Sequence, residues 1–426
     1  MHFIVTAIGS YGDVHPMVGV GKRLAERGHR VTIVTNPYFA PVVEAAGLDL
    51  ASVLSTDDYL RLIEYPHIWH PTKSVPYLFR EAVVNLMRPL YALLEELYTP
   101  GETVVAAHTL DAASRVFRER TGARVATVTF APQAIWSRHE PPKLGAVPVG
   151  PDWPRWWNDI FFWFGNRLVI DPSLAKPLNS WRRELDLPPV RRLFPDWWFA
   201  ADTNVCLFPE WFGPVQPDWP RPVEAVGFPL WDAGDTTALP GDVQAFVAEG
   251  QPPLVFTPGT ANTQAADFFR VAVEVCQRLD RRGLLLTKFA GQVPNDLPPG
   301  VKHVEFVPLS RLLPSCAAFV HHGGIGSCSQ GLAAGVPQLV RPMAFDQYDN
   351  VARLRRLGVA EQVVGQRFTA PRVAQAIERL IDSPAVAESC REHARRCQTN
   401  GLDRACDLLE GVGQMRLNAM SLAPEG

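Results

Sequence analysis

Two glycine-bearing turns of this chain carry side chains suited to holding an anion. Residues 321–331 read HHGGIGSCSQG; they follow the apolar run AAFVHH and open a helix from about Ser327. At such a place free backbone N–H groups and the helix dipole favour negative charge. Gly323, Gly324 and Gly326 let the backbone come close to an anion, and His322 and Ser327 can donate hydrogen bonds to it. A second turn, TPGT, puts Thr257, Gly259 and Thr260 after another apolar run, where they could hold the same group from the other side. A diphosphate would suit two such donor sets. The plainer alternative is that these glycines only permit tight turns, and for a lone GGxG that alternative is the stronger one.

The elements that must position these turns follow from the apolar pattern. HFIVTAIG reads as a strand buried on both faces, SYGD as a turn, and PMVGVGKRLAER as a helix begun by Pro16 and ended by Gly28, with HRVTIVT the second strand. The alternation recurs at TVVAAHT, LDAASRVFRERTG and ARVATVTF. A second series starts after residue 250: the strand and turn PLVFTPGT, the helix QAADFFRVAVEVCQRLDRRG, the strand LLLTKFAG, then VKHVEFV, the short helix SRLLPSC and the strand AAFVHH. Between them lies a proline-rich stretch, residues 208–235, without helical or strand period, whose latter half reads as a linker. The expectation is two doubly wound parallel sheets whose turns after residues 8, 108, 257 and 321 carry the ligand chemistry, since such sheets bind ligands beyond the carboxyl ends of their strands.

Composition narrows the function classes. The chain has 426 residues, 47% hydrophobic and 20% charged, with a net charge of -3 and the signs mixed, which leaves no electrostatic footprint for nucleic acid. Seven cysteines, all at or beyond Cys206, form no CxxC pair, and the odd count argues against a disulfide framework. The N-terminus shows no basic leader, and no apolar run approaches the roughly 20 residues that span a bilayer. A reduced cytoplasm is the expected setting.

From Phe306 to Gln347 the chain resembles the donor-binding signature of family 1 glycosyltransferases, which runs W-x-P-Q, H-C-G-W-N-S-x-x-E, G-V-P and a closing D/E-Q pair. Here FVPL, HGGIGSCSQ, GVP and DQ stand in that order at closely matching spacing. The resemblance implies a GT-B architecture of two Rossmann-like domains facing a central cleft: an acceptor-binding domain over 1–230, a nucleotide-sugar domain over 231–405, and a tail, 406–426, that packs back on the first. It implies that Phe306 stacks on the base and the Val307 backbone pairs with its edge. His322, Gly324 and Ser327 would hold the diphosphate, while Asp346 and Gln347 bond the sugar hydroxyls. Two residues depart from the pattern. Gln330 replaces the glutamate that grips both ribose hydroxyls, and Leu309 replaces the glutamine near the base. An amide offers one acceptor oxygen and no charge, so a 2'-deoxyribose donor would miss it less, which favours a thymidine nucleotide without excluding uridine.

Members of this family need a base for the acceptor hydroxyl. Plant enzymes carry it as histidine in a G-H-x-x-P turn, oriented by an aspartate after a later strand; here GDVHP puts Asp13 at the histidine position, and His108 falls at the aspartate position. A carboxylate beside an imidazole handles protons in either order. Asp13 as an N-cap to the Pro16 helix, His15 as the competing base and His108 as a core histidine remain open at this point. No metal or other cofactor is implied, because STDDY near Asp57 reads as a helix start, not a metal-binding DxD element.

Eleven of the twelve tryptophans fall between Trp136 and Trp231, four of them in WPRWWNDIFFWFG. Most fit a core or a domain-closing flap, yet so many aromatics suggest an apolar acceptor or contact with a membrane surface. The strings GSYGDVHP and PLVFTPGT also resemble bacterial rhamnosyltransferases of rhamnolipid synthesis. The expected activity is inverting, metal-independent transfer of a hexose, glucose or rhamnose, from a UDP- or dTDP-sugar to a hydroxyl of a lipophilic small molecule. A non-hydrolysing nucleotide-sugar epimerase and a catalytically silent sugar-nucleotide or lipid-binding partner are the alternatives.

Overall fold

Strand β1 (His2–Thr6) is buried at all five positions, as a continuous apolar run in the middle of a two-faced sheet must be. A computed structural model describes residues 1–70, 73–145, 147–233 and 237–421. In it β1 joins β2 (Arg30–Thr35), β3 (Asp49–Ser52), β4 (Thr103–His108), β5 (Arg124–Thr129), β6 (Thr203–Cys206) and β7 (Val223–Ala225) in one parallel sheet of order β3-β2-β1-β4-β5-β6-β7. Helix α1 (Tyr11–Glu26) begins five residues before Pro16, so Asp13 and His15 lie within it. The expected helix start at Pro16 is therefore corrected, and with it the alternative of Asp13 as that helix's cap falls: the proline is accommodated inside the helix, where the carbonyl it faces four residues back belongs to Gly12. Helix α2 (Thr56–Glu64) opens with a reciprocal capping box between Ser55 and Asp58, which accounts for STDDY as a helix start. Helix α3 (Ala112–Thr121) is capped by Asp111 and ends at Gly122, and α4 (Arg155–Gly165) carries the tryptophan-rich segment. The proline-rich stretch contains β7, an edge strand of three residues, too short to show alternation in the sequence.

The second sheet is also parallel, in the order β10-β9-β8-β11-β12-β13, from β8 (Leu254–Thr257), β9 (Gly283–Leu286), β10 (Val301–Val304), β11 (Ala318–His321), β12 (Gln338–Val340) and β13 (Ala360–Gln362). β9 stops at Leu286, which leaves Thr287 and Lys288 in the following turn. Helices α5 (Ala266–Leu279), α6 (Ile325–Ala334) and α7 (Gln347–Arg356) follow β8, β11 and β12; α6 begins two residues ahead of the expected Ser327. Phe256, Phe268, Phe269, Val320 and Leu339 form part of this sheet's core. Contacts divide the chain into two units. One comprises Met1–Gly9, Asp13–Pro229 and the segment from Asn400; the other comprises Ser10–Gly12 and Leu230–Thr399. The C-terminal helix Gly401–Ser421 is held in the first unit by Arg23 and Arg27, which both reach Asp403.

Each sheet reverses its strand order once in the middle, between β1 and β4 and between β8 and β11. At such a reversal the connections leave in opposite directions and open a crevice at the carboxyl ends.

Candidate functional site

In the first unit the turns after β1 and β4 leave the sheet side by side at the reversal and bring Asp13 and His108 together. His108 Nε2 lies 3.6 Å from Asp13 Oδ1; the histidine side chain is almost wholly buried and the aspartate about one-third exposed. His108 Nδ1 accepts the Leu110 backbone N–H at 3.0 Å. This assigns the remaining ring proton to Nε2, the nitrogen that faces Asp13. Thr6 Oγ1 accepts the His108 backbone N–H at 2.9 Å and donates to Asp111 Oδ2 at 2.9 Å. Asp111 is fully buried and also takes the Ser114 backbone N–H that it caps in α3. A buried chain from the α3 cap through β1 thus sets the end of β4. Gly9 makes room for the carboxylate: its φ is +132°, and a Cβ there would lie 2.2 Å from Asp13 Oδ2. His15 is 9% exposed.

Beside this pair the ends of β1, β2 and β3 and helix α2 enclose a cavity of about 430 Å³. Buried Ile8, Phe39, Val53 and Leu86 line it, and the more exposed ion pairs Asp58–Arg61 and Arg80–Glu81 stand at its edge. Thr35, Asn36, Tyr59, Tyr77 and Asn85 complete the lining, so the cavity suits a guest with both apolar surface and polar groups.

In the second unit β8 and β11 are neighbours, with Thr257 opposite His321. The His322 ring is packed between two glycines: a Cβ on Gly259 would lie 2.8 Å from His322 Cε1, and one on Gly324 would lie 2.5 Å from Nε2. Burial lowers the His322 pKa to about 4, so the ring is neutral at pH 7. His321 is fully buried; its Nε2–H donates to Gln338 Oε1 at 3.0 Å and its Nδ1 accepts the Gly323 N–H at 3.1 Å. Burial, with His322 adding to it, lowers the His321 pKa to about 3. Gly324 is the N-cap of α6 and Ser327 sits in its first turn, so the anion-favouring helix end is in place beside His322. Thr257 Oγ1 accepts the Gly259 N–H at 3.3 Å, which shapes the facing turn that Thr260 ends.

The other expected donor-side residues lie after β10, in α6 and at the start of α7. Val307 is buried in the core while Phe306 is half-buried, and Leu309 packs against the same core. Gln330 is 6% exposed and its Nε2 donates to Leu230 O at 3.3 Å, which leaves its oxygen and one amide hydrogen for other partners. Gln347 is 2% exposed, and its Oε1 accepts the Met343 and Ala344 N–H groups at 2.7 and 3.1 Å. Asp346 precedes α7, and its Oδ2 accepts from Asn350 Nδ2 at 2.7 Å. Two residues escaped sequence reasoning. Lys288 Nζ lies 5.6 Å from the Phe306 ring centroid; its signal is a cation in the turn after a strand. Asn350 shares a helix face with Asp346, and its signal is the i, i+4 spacing. Among the described residues no group of three or more His, Cys, Asp or Glu side chains is placed to hold a metal ion.

Residues 3–114 match the glycosyltransferase family 28 N-terminal domain, and residues 276–401 match the erythromycin biosynthesis protein CIII-like (EryCIII-like) C-terminal domain. O-mycaminosyltylonolide 6-deoxyallosyltransferase of Streptomyces fradiae is 27% identical over 460 residues, 98% of this chain and 99% of its own. The solved glycosyltransferase of kitacinnamycin has a TM-score of 0.73 at 24% identity, over 96% of this chain and 98% of that one. The glycosyltransferase VinC, solved in complex with dTDP, has a TM-score of 0.66 at 20% identity, over 97% of this chain and 100% of that one. With a family 28 N-terminal domain on one parallel sheet and an EryCIII-like C-terminal domain on the other, the chain belongs to the nucleotide-sugar-dependent glycosyltransferases of the GT-B fold.

Proposed function

We propose that this enzyme transfers a hexose, glucose or rhamnose, from a dTDP- or UDP-sugar to a hydroxyl of a lipophilic small molecule, with inversion at the anomeric carbon and without a metal ion. The observation that carries the reading is the Asp13–His108 pair, with Asp13 packed against Gly9, which also lines a cavity of mixed apolar and polar lining in the first unit. The acceptor oxygen attacks the anomeric carbon from the face opposite the diphosphate. Its proton passes to Asp13, the carbon–oxygen bond to the diphosphate breaks, and the leaving group takes the electron pair. His108, whose Nε2–H faces the Asp13 carboxylate at 3.6 Å, beyond hydrogen-bond length, favours the carboxylate's charge through space.

On the donor side, the N-terminus of α6, His322, Ser327 and the Thr257–Thr260 turn meet the diphosphate, and Asp346 and Gln347 meet the sugar. The half-buried Phe306 ring stacks on the base, with Lys288 adding a positive charge beside it. A thymidine nucleotide is favoured by Gln330, whose amide has one oxygen left for the ribose, and by the dTDP bound in VinC. The exposed side chains Trp156, Ile160, Trp163 and Phe164 of α4 support a lipid-like acceptor or peripheral contact with a membrane.

Incubation with dTDP-glucose, dTDP-rhamnose and UDP-glucose against hydroxy-fatty acids and phenols, read by mass spectrometry, tests the reading. An acceptor heavier by one sugar residue, formed equally well in EDTA, supports it. Loss of all product in EDTA contradicts the metal-free mechanism.

A further inference from the structure

Asn350 is fully buried, and its amide joins two turns that leave different strands. Nδ2 donates to Asp346 Oδ2 at 2.7 Å and to the Gly323 carbonyl at 3.0 Å. Gly323 lies in the turn from β11 to α6, and Asp346 ends the turn from β12 to α7. The Gly323 carbonyl also accepts the Cys328 thiol at 3.3 Å. The Gly323 backbone is in turn closely confined: its φ is +96°, and a Cβ there would lie 2.8 Å from Val340 Cγ1.

Two local features bear on the direction of the Asp346 carboxylate. Asp346 occupies the N-cap position of α7 yet makes no capping bond with its side chain, although aspartate is among the best N-caps. Phe345, just before it, has φ +56°, a left-handed backbone that a bulky residue adopts only where its surroundings enforce it. A residue used only to start the helix would cap it, with the preceding backbone extended.

We propose that Asn350 is a positioning residue for the donor sugar, fixing the Asp346 carboxylate relative to the diphosphate turn. The inference rests on the reading of Asp346 as the ligand of sugar hydroxyls. The amide holds Oδ2 and so fixes the plane in which the carboxylate meets a sugar hydroxyl. Because its second hydrogen is bonded to the Gly323 carbonyl, the distance from sugar ligand to phosphate ligand is set by one rigid side chain. Being neutral, Asn350 orients the carboxylate without cancelling the charge that strengthens its hydrogen bonds.

Calorimetry on the full chain with dTDP-glucose and with dTDP alone gives the sugar's own contribution as the ratio of the two dissociation constants. Asn350→Ala should lower that ratio about tenfold, the scale for loss of a residue that orients a ligand, and should change dTDP affinity far less. In an Asp346→Ala background the same substitution should change the ratio no further. Asn350→Ser, which keeps a small polar side chain, gives the same readout with a smaller drop should the alanine variant not fold. Equal weakening of dTDP and dTDP-glucose, with the ratio unchanged, would make Asn350 a purely structural residue and overturn the inference. An unchanged ratio in Asp346→Ala alone would remove Asp346 from the sugar site, and that result overturns the reading beneath the inference, independently of Asn350.

Discussion

His322 shows how a side chain is tuned by its neighbours. Packed against Gly259 and Gly324, with its pKa lowered to about 4 by burial, it keeps a neutral ring with one N–H at pH 7, the form the proposed diphosphate contact needs. His322→Ala should weaken nucleotide diphosphate binding by about 1.5–3 kcal/mol, the range for a hydrogen bond to a charged group. Calorimetry showing unchanged affinity would take His322 out of the site. Gln330 leads to a different expectation, because its Nε2 holds the Leu230 carbonyl. Gln330→Glu should shift preference toward uridine over thymidine donors of the same sugar by about 1 kcal/mol. It should also lower the melting temperature, since a carboxylate would face that carbonyl; a lower melting temperature with no shift in nucleotide preference would leave Gln330 a purely structural role. His322, Ser327, Asp346 and Gln347, the residues proposed for the donor, could be named from the sequence because they sit at fixed offsets in one signature. The use of Asn350 was not. Its spacing to Asp346 is visible, but its second partner, Gly323, lies 27 residues earlier and meets it only in the folded sheet.

At the level of elements, both candidate half-sites stand where a parallel sheet reverses its strand order. The buried apolar runs announced the strands, and glycine turns announced the places where chains could approach a ligand. What the sequence did not show was the start of α1, since Pro16 usually marks a first helical turn and here lies inside the helix. Nor did it show β7, an edge strand of three residues. β11 carries a further consequence through His321. Its folded pKa of about 3 lies below the unfolded value near 6.5, so between these limits the unfolded chain binds the extra proton. The stability this residue contributes is complete above about pH 6.5 and is lost as pH falls toward 3. Denaturant unfolding of the wild type at pH 7 and pH 5 should show that loss, with His321→Gln less sensitive by up to about 1.4 kcal/mol per pH unit. Equal pH dependence in the two proteins would contradict the assignment of a neutral, doubly bonded His321.

For the whole molecule, composition excluded more than it assigned. The seven cysteines are all free, and burial pushes the Cys276, Cys390, Cys397 and Cys406 thiols up to about 12, which leaves them poor nucleophiles. Among the described residues no helix is long and apolar enough to cross a membrane. Among the described residues the exposed large hydrophobic side chains, Leu54 apart, fall between Trp153 and Leu168. This concentration was visible as tryptophan density, but its exposure was not, because the same pattern would serve a core equally well. The account turns on a proton leaving the acceptor for Asp13 while the donor is held by other residues. The most direct test is the rate of glycosylated acceptor formation by Asp13→Asn, measured beside its affinity for dTDP. The account predicts that turnover falls by about 100-fold or more with dTDP affinity nearly unchanged. Turnover near the wild-type rate in that variant would contradict it and transfer the role to His15 or His108.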